Sequence, residues 1–160
     1  MIRAHSLTEA TGDGPTVRLA FEERHRRRLA LRTTDGEAVL LDLDKATRLR
    51  DGQRIAMDDG RVLTVEALPE AVVDITAADA HGLARLSWHL GNRHTPTEIM
   101  PDRLRIRRDH VLEAMVERLG GTLSVLDAPF DPEVGAYHDG GGHGHHHAHD
   151  HHGHGHAHDH

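Results

Sequence analysis

The chain has 160 residues, a formal charge of −7 with histidine neutral, eighteen histidines and no cysteine. Without cysteine there are no disulfides, thiolate zinc ribbons or all-Cys iron–sulfur clusters, so a metal site must use His, Asp, Glu, backbone or water. The acidic balance argues against binding nucleic acid through bulk charge, and no run approaches the roughly 18 apolar residues of a membrane span.

The opening segment "MIRAHSLTEATGDGP" has no apolar stretch of secretory type, so a cytoplasmic protein is expected. From Thr16 the pattern turns β-like. "TVRLAF" alternates with Val17, Leu19 and Phe21 on one face, and "RLALRT", "EAVLLDL", "QRIAM" and "RVLTVEAL" follow. Asp35-Gly36, Asp51-Gly52 and Asp59-Gly60 separate these runs, and Asp-Gly supplies the positive φ that tight turns need. A small all-β domain of meander or barrel type is expected over residues 1–69.

The character changes near Pro69. "AVVDIT" reads as a strand. A helix follows, entered near Thr76 and closed by Gly91-Asn92, with Leu83, Leu86 and Leu90 as its apolar stripe. "TEIMPDRLRI" is extended and interrupted by Pro101. A second helix starts at Asp109 as N-cap and ends at Gly120-Gly121. Val111, Leu112, Met115, Val116 and Leu119 are its expected buried face. "TLSVLDAPF" is the last strand. The order strand, helix, split strand, helix, strand predicts a ferredoxin-like α+β domain over residues 70–137.

Residues 138–160 are of another kind. Twelve of these 23 positions are histidine, and the rest are Gly, Asp and Ala. The twelve are His138, His143, His145, His146, His147, His149, His151, His152, His154, His156, His158 and His160. Such a segment cannot bury a core and is expected to be a disordered tail with an end-to-end distance of roughly 26 Å. Neutral imidazole ligates nickel, copper and zinc, so the composition points to divalent metal without choosing among them. An affinity tag and a metal-independent solubilising tail are the bland alternatives; the interspersed Gly, Asp and Ala argue against a tag.

In the body, His94 follows the expected helix terminator on an exposed turn, and His110 sits in the first turn of the second helix. Taken singly, each reads as an ordinary surface residue. So do His81, near the start of the first helix, and His89, beside Trp88. One histidine is too few for a tight site, but a two-fold dimer would present His94 twice.

The segments "HLGNRHTPTEI", "RDHVLEAMVERLGG" and "APFDPEVGAYHDGGGHGHHH", with "RLRDGQRIAMDDGRVLTVEA" earlier, resemble the UreE family of urease accessory proteins over most of the chain. The resemblance implies delivery of Ni2+ for assembly of the urease active site. It implies a homodimer through the C-terminal domain, working with other urease accessory proteins, including a GTPase, and with the urease apoprotein. Under it, His94 matches the His of G-N-R-H, which binds nickel at the dimer interface. His110 matches the second His of an H-D-H sequence whose first His is here Arg108, a departure that puts a paired site in doubt. His138 and the later tail histidines match ligands that complete or feed the interfacial site; Zn2+ or Cu2+ could also bind.

Three readings compete. The first is a nickel chaperone. The second is a histidine-rich store or buffer for nickel, zinc or copper. The third is a metallohydrolase, for which no H-E-x-x-H or comparable constellation is present. The basic stretch "ERHRRRLALR" (Arg24, Arg26, Arg27, Arg28, Arg32) lacks interleaved aromatics for stacking nucleic acid. It reads as a solvated strand face or as a dock for an acidic protein.

Overall fold

A computed structural model describes residues 1–133. The elements run β1 (Ile2–Leu7), β2 (Thr16–Leu19), a 3-10 turn (Phe21–Arg24), β3 (His25–Arg32), β4 (Ala38–Arg48), β5 (Arg54–Met57) and β6 (Val62–Ala67). They continue with β7 (Pro69–Thr76), α1 (Ala80–Asn92), β8 (Glu98–Ile99), β9 (Leu104–Arg107), α2 (His110–Arg118) and β10 (Thr122–Pro129). The tail histidines, His138 to His160, lie outside the described residues, and so does the expected disorder of that segment.

The first six strands form one sheet in the order β2-β6-β5-β1-β4-β3. Its core is the alternating set read from the sequence: Val17, Leu19, Leu31, Val39, Leu41, Ile55, Leu63 and Val65 are all buried. The Asp-Gly turns carry positive φ at Gly36, Gly52 and Gly60. The sheet is not a simple meander, because β1 pairs in parallel with β4 and β2 in parallel with β6. Sequence patterning also passes over β1 altogether. Only Ala4 of that strand is fully buried, so no apolar period announces it. Its backbone pairing with β4 and β5 is what places it inside the sheet.

The second sheet has the order β10-β7-β9-β8, antiparallel throughout. With α1 and α2 this is the ferredoxin-like arrangement. Both helices cover one face, packing Leu86, Leu90, Met115 and Val116 on Val73, Ile75, Leu104 and Ile106. α1 begins later than Thr76, because the Asp79 carboxylate accepts from the Gly82 N–H at 2.7 Å and caps it there. Asp109 caps α2 as expected, accepting from the Val111 and Leu112 N–H groups. Val111 departs from the expected buried face: it is exposed, because the first turn of α2 overhangs a cleft instead of the sheet.

The other face of the second sheet meets the 3-10 turn of the first half. Phe21, Val72 and Phe130 form a small buried cluster there. Beside it Arg105 holds Asp74 bidentately at 2.7 and 3.1 Å, and Arg103 adds a third bond at 3.1 Å. Burial works against the Asp74 charge, yet the Arg105 hydrogen bonds and the Arg105 and Arg103 charges outweigh it and hold this carboxyl below the usual range.

The basic stretch divides. Arg26, Arg27, Arg28 and Arg32 are exposed on the edge strand β3. Arg24 is fully buried, which corrects the reading of one solvated patch. As the last residue of the 3-10 turn, it points into the joint between the sheets. There it donates to the carbonyls of Leu49 and Phe130 and to the Asp131 carboxylate.

Candidate metal-binding site

His94 owes its place to how α1 ends. The Thr95 N–H donates to the Leu90 carbonyl at 3.1 Å, and the His94 N–H to the Gly91 carbonyl at 3.0 Å. This pair of bonds is a Schellman terminator, in which the residue after the cap takes the left-handed conformation. Glycine usually fills that position, but here it is His94, with φ of 55°. It is the only non-glycine residue with positive φ among those described. Gly91 lies inside the helix instead of closing it. A non-glycine residue in this region carries modest strain, and such strain is concentrated at functional positions.

The result is an exposed imidazole on a backbone fixed by two hydrogen bonds. His94 stands between two clefts. One, of about 740 Å³, is shared with Glu70, Arg107, Asp109 and Val111. The other, of about 560 Å³, is shared with Phe21, Arg48, Pro132 and Glu133. The structure thus brings His94 to the α2 N-terminus on one side and to the last described residues on the other.

His110 is the first residue of α2 and is exposed. Its neighbours Asp109 and Val111 line the larger cleft with His94, while His110 itself does not. Arg108 is held by Glu113 at 3.1 Å, and Glu113 also accepts from the Asp109 N–H at 2.8 Å. Arg108 is therefore a cation in an ion pair. His89 is half-buried, edge-on to Trp88 with ring centroids 5.0 Å apart, and His81 is exposed. His5, far away on β1, lies 3.5 Å from Asp58. Among the described residues no three His, Asp or Glu converge to hold a metal. A site on His94 built from three or more imidazoles or carboxylates would need ligands from beyond residues 1–133 of one chain.

The surroundings of His94 left little trace in the sequence. The left-handed His94 follows from the absence of glycine at the position after the cap. The buried Arg24 sits in a run of arginines and carried no signal of its own.

Known proteins match most of this sequence. Residues 2–68 match the family model for the N-terminal domain of UreE urease accessory protein, and residues 70–160 match the model for its C-terminal domain. A urease accessory protein UreE of a Bradyrhizobium species is 54% identical over 143 residues, 86% of this chain and 68% of that protein. Its namesake in Rhodopseudomonas palustris is 53% identical over 131 residues, covering 80% and 61%. That of a Chelativorans species is 46% identical over 148 residues, covering 89% and 94%.

Proposed function

Because the chain belongs to the UreE family of urease accessory proteins, we propose that it is a nickel metallochaperone. It captures Ni(II) and passes it to partner proteins for assembly of the urease metallocentre. The observation that carries this reading is His94: one exposed imidazole, fixed at a helix terminator and without a side-chain partner among the described residues. A two-fold homodimer through residues 70–137 would set two copies against each other. Tail histidines, from His138 onward, supply further ligands and gather ions from solution, and His110, exposed at the start of α2, is a secondary ligand. Imidazole-only ligation suits handover, since neutral ligands exchange more readily than a closed thiolate cage.

The nickel ion is cargo, so no catalytic role is assigned. The proposed recipients are the other urease accessory proteins, the GTPase among them, and the urease apoprotein. Arg26, Arg27, Arg28 and Arg32 on β3 are a candidate dock for an acidic partner surface. No helix among the described residues is long and apolar enough to cross a membrane, and a cytoplasmic setting belongs to the same proposal.

A store or buffer is the second reading, favoured by the twelve histidines of residues 138–160. Equilibrium nickel titration after deletion of that segment separates the two. A chaperone keeps about one tight ion per dimer, at the symmetric His94 pair; a store loses essentially all binding. His94→Ala in the shortened chain should then abolish the remaining tight site. Undiminished binding in that variant rejects the His94 assignment.

A further inference from the structure

Strand β3 lies at the edge of the first sheet, with β4 as its neighbour in the ladder. The register decides which backbone groups that neighbour takes. The Thr33 N–H donates to the Glu37 carbonyl at 2.9 Å. Leu31 stands opposite Val39, and Leu29 opposite Leu41. In an antiparallel pair alternate residues bond across, so the groups of Leu29, Leu31 and Thr33 point toward β4. Those of Arg28, Ala30 and Arg32 point away from it. Thr34 continues that outward set, and its N–H donates to the Thr16 carbonyl at 2.8 Å. From Arg28 to Arg32 no strand among the described residues pairs on that side. All three residues of the outward set are exposed.

An open edge is a template for another strand, and charge decides which strand it accepts. Antiparallel pairing of two β3 strands about Ala30 would set Arg28 of each against Arg32 of the other, and like charges directly opposite destabilise. The same row fits a strand of opposite sign. Arg32 donates to the Gly36 carbonyl, which leaves its charge uncompensated. Asp42 stands opposite Arg28 on β4 but pairs with Arg3 at 3.3 Å and Arg27 at 3.9 Å instead. Side chains directly opposite share a face. Carboxylates set against Arg28 and Arg32 would therefore lie on the solvent side, with one residue between them opposite Ala30. The two remaining positions would turn inward beside Leu29 and Leu31, which belong to the core and its margin. We propose that β3 binds an extended acidic segment of a partner protein by antiparallel strand addition at residues 28–32, in the order acid, apolar, any residue, apolar, acid. Main-chain bonds to Arg28, Ala30 and Arg32 supply affinity, and the two arginines select the sequence. The inference rests on the reading of these arginines as a dock for an acidic partner, and it gives that partner its form.

The full-length protein, held in chelator so that no metal bridges to its histidines, is titrated with a fluorescent peptide whose core is Glu-Val-Thr-Val-Glu. Saturable binding is expected in the anisotropy. Replacing both glutamates by glutamine should weaken it about fivefold, through the loss of two cross-strand charge pairs. Arg28→Glu with Arg32→Glu should reject this peptide and accept one with lysine at both acidic positions. Ala30→Pro removes an outward N–H and no bond to β4, a change that an edge strand tolerates. It should weaken binding about tenfold. Methylating the central amide of the peptide breaks the return bond to the Ala30 carbonyl and should cost as much, whatever Ala30→Pro does to folding. Binding that depends on charge but ignores the methylated amide overturns strand addition and leaves an acidic dock of another form. No binding of the unmodified peptide overturns the proposal. Binding that the charge reversal leaves unchanged overturns the dock reading as well.

Discussion

Two places in this molecule break local rules, with opposite consequences. Arg24 is a charge buried without remainder, and its guanidinium reaches the Leu49 and Phe130 carbonyls and the Asp131 carboxylate. His94 sits in a backbone conformation that favours glycine, and its imidazole is exposed. In the joint the exception is absorbed by partners and becomes structure. At the turn, among the described residues, only the backbone is satisfied, so the exposed side chain can take a ligand. A buried unusual residue engaged by three acceptors is structural; an exposed one without a side-chain partner among the described residues is available to a ligand.

This contrast can be broken at either end. The largest effect is expected in the joint. Arg24→Met leaves the Phe130 and Leu49 carbonyls without their donor and removes one partner of Asp131, so denaturant unfolding should show a loss of about 3 kcal/mol. A loss below about 1 kcal/mol would mean that these bonds contribute little to folding. Next comes nickel binding itself. Imidazole must be deprotonated to ligate, so protons compete with nickel. If two imidazoles hold the tight ion, affinity should fall more steeply than in simple proportion to added protons as the solution is acidified. A flat profile by calorimetric titration would reject imidazole capture.

A smaller effect is expected from His94→Gly. It relieves the left-handed residue and should raise stability by about 0.5–1 kcal/mol while removing the tight site. His94→Ala should lose the site without that gain. If both variants melt alike, the turn is not strained. The smallest effect is expected from Arg61, whose bonds to Glu37 and Asp59 lie at the surface of the first sheet. Arg61→Ala should leave the unfolding midpoint unmoved, because exposed ion pairs contribute little. A clear shift would show that the first sheet, like the joint, depends on its charges.

Much of the architecture was legible from periodicity. The alternation of Val17 and Leu19, of Leu29 and Leu31 and of the later runs identified strands, and the stripe of Leu83, Leu86 and Leu90 identified α1. In each case one face is buried, so solvent exclusion writes itself into the residue order. β1 escaped because its place in the sheet depends on backbone pairing with two neighbours, which leaves almost no side-chain signature. Val111 was misassigned because a helical stripe says which residues share a face. It does not say where the helix runs off the edge of its sheet.

The sequence by itself determined the chemistry available: no thiolate, eighteen histidines, twelve of them in residues 138–160, and an α+β order with a GNRH turn after the first helix. Those are properties of residue type and local spacing, and they survive without any knowledge of packing. Only the tertiary structure decided that Arg24 leaves its arginine run for the interior, that His94 closes α1 in a left-handed turn, and that residues 130–133 return to that turn. These depend on contacts between residues as far apart in the chain as Arg24 and Asp131. The free energy of such contacts belongs to the pair brought together, so neither residue's own neighbours carry it.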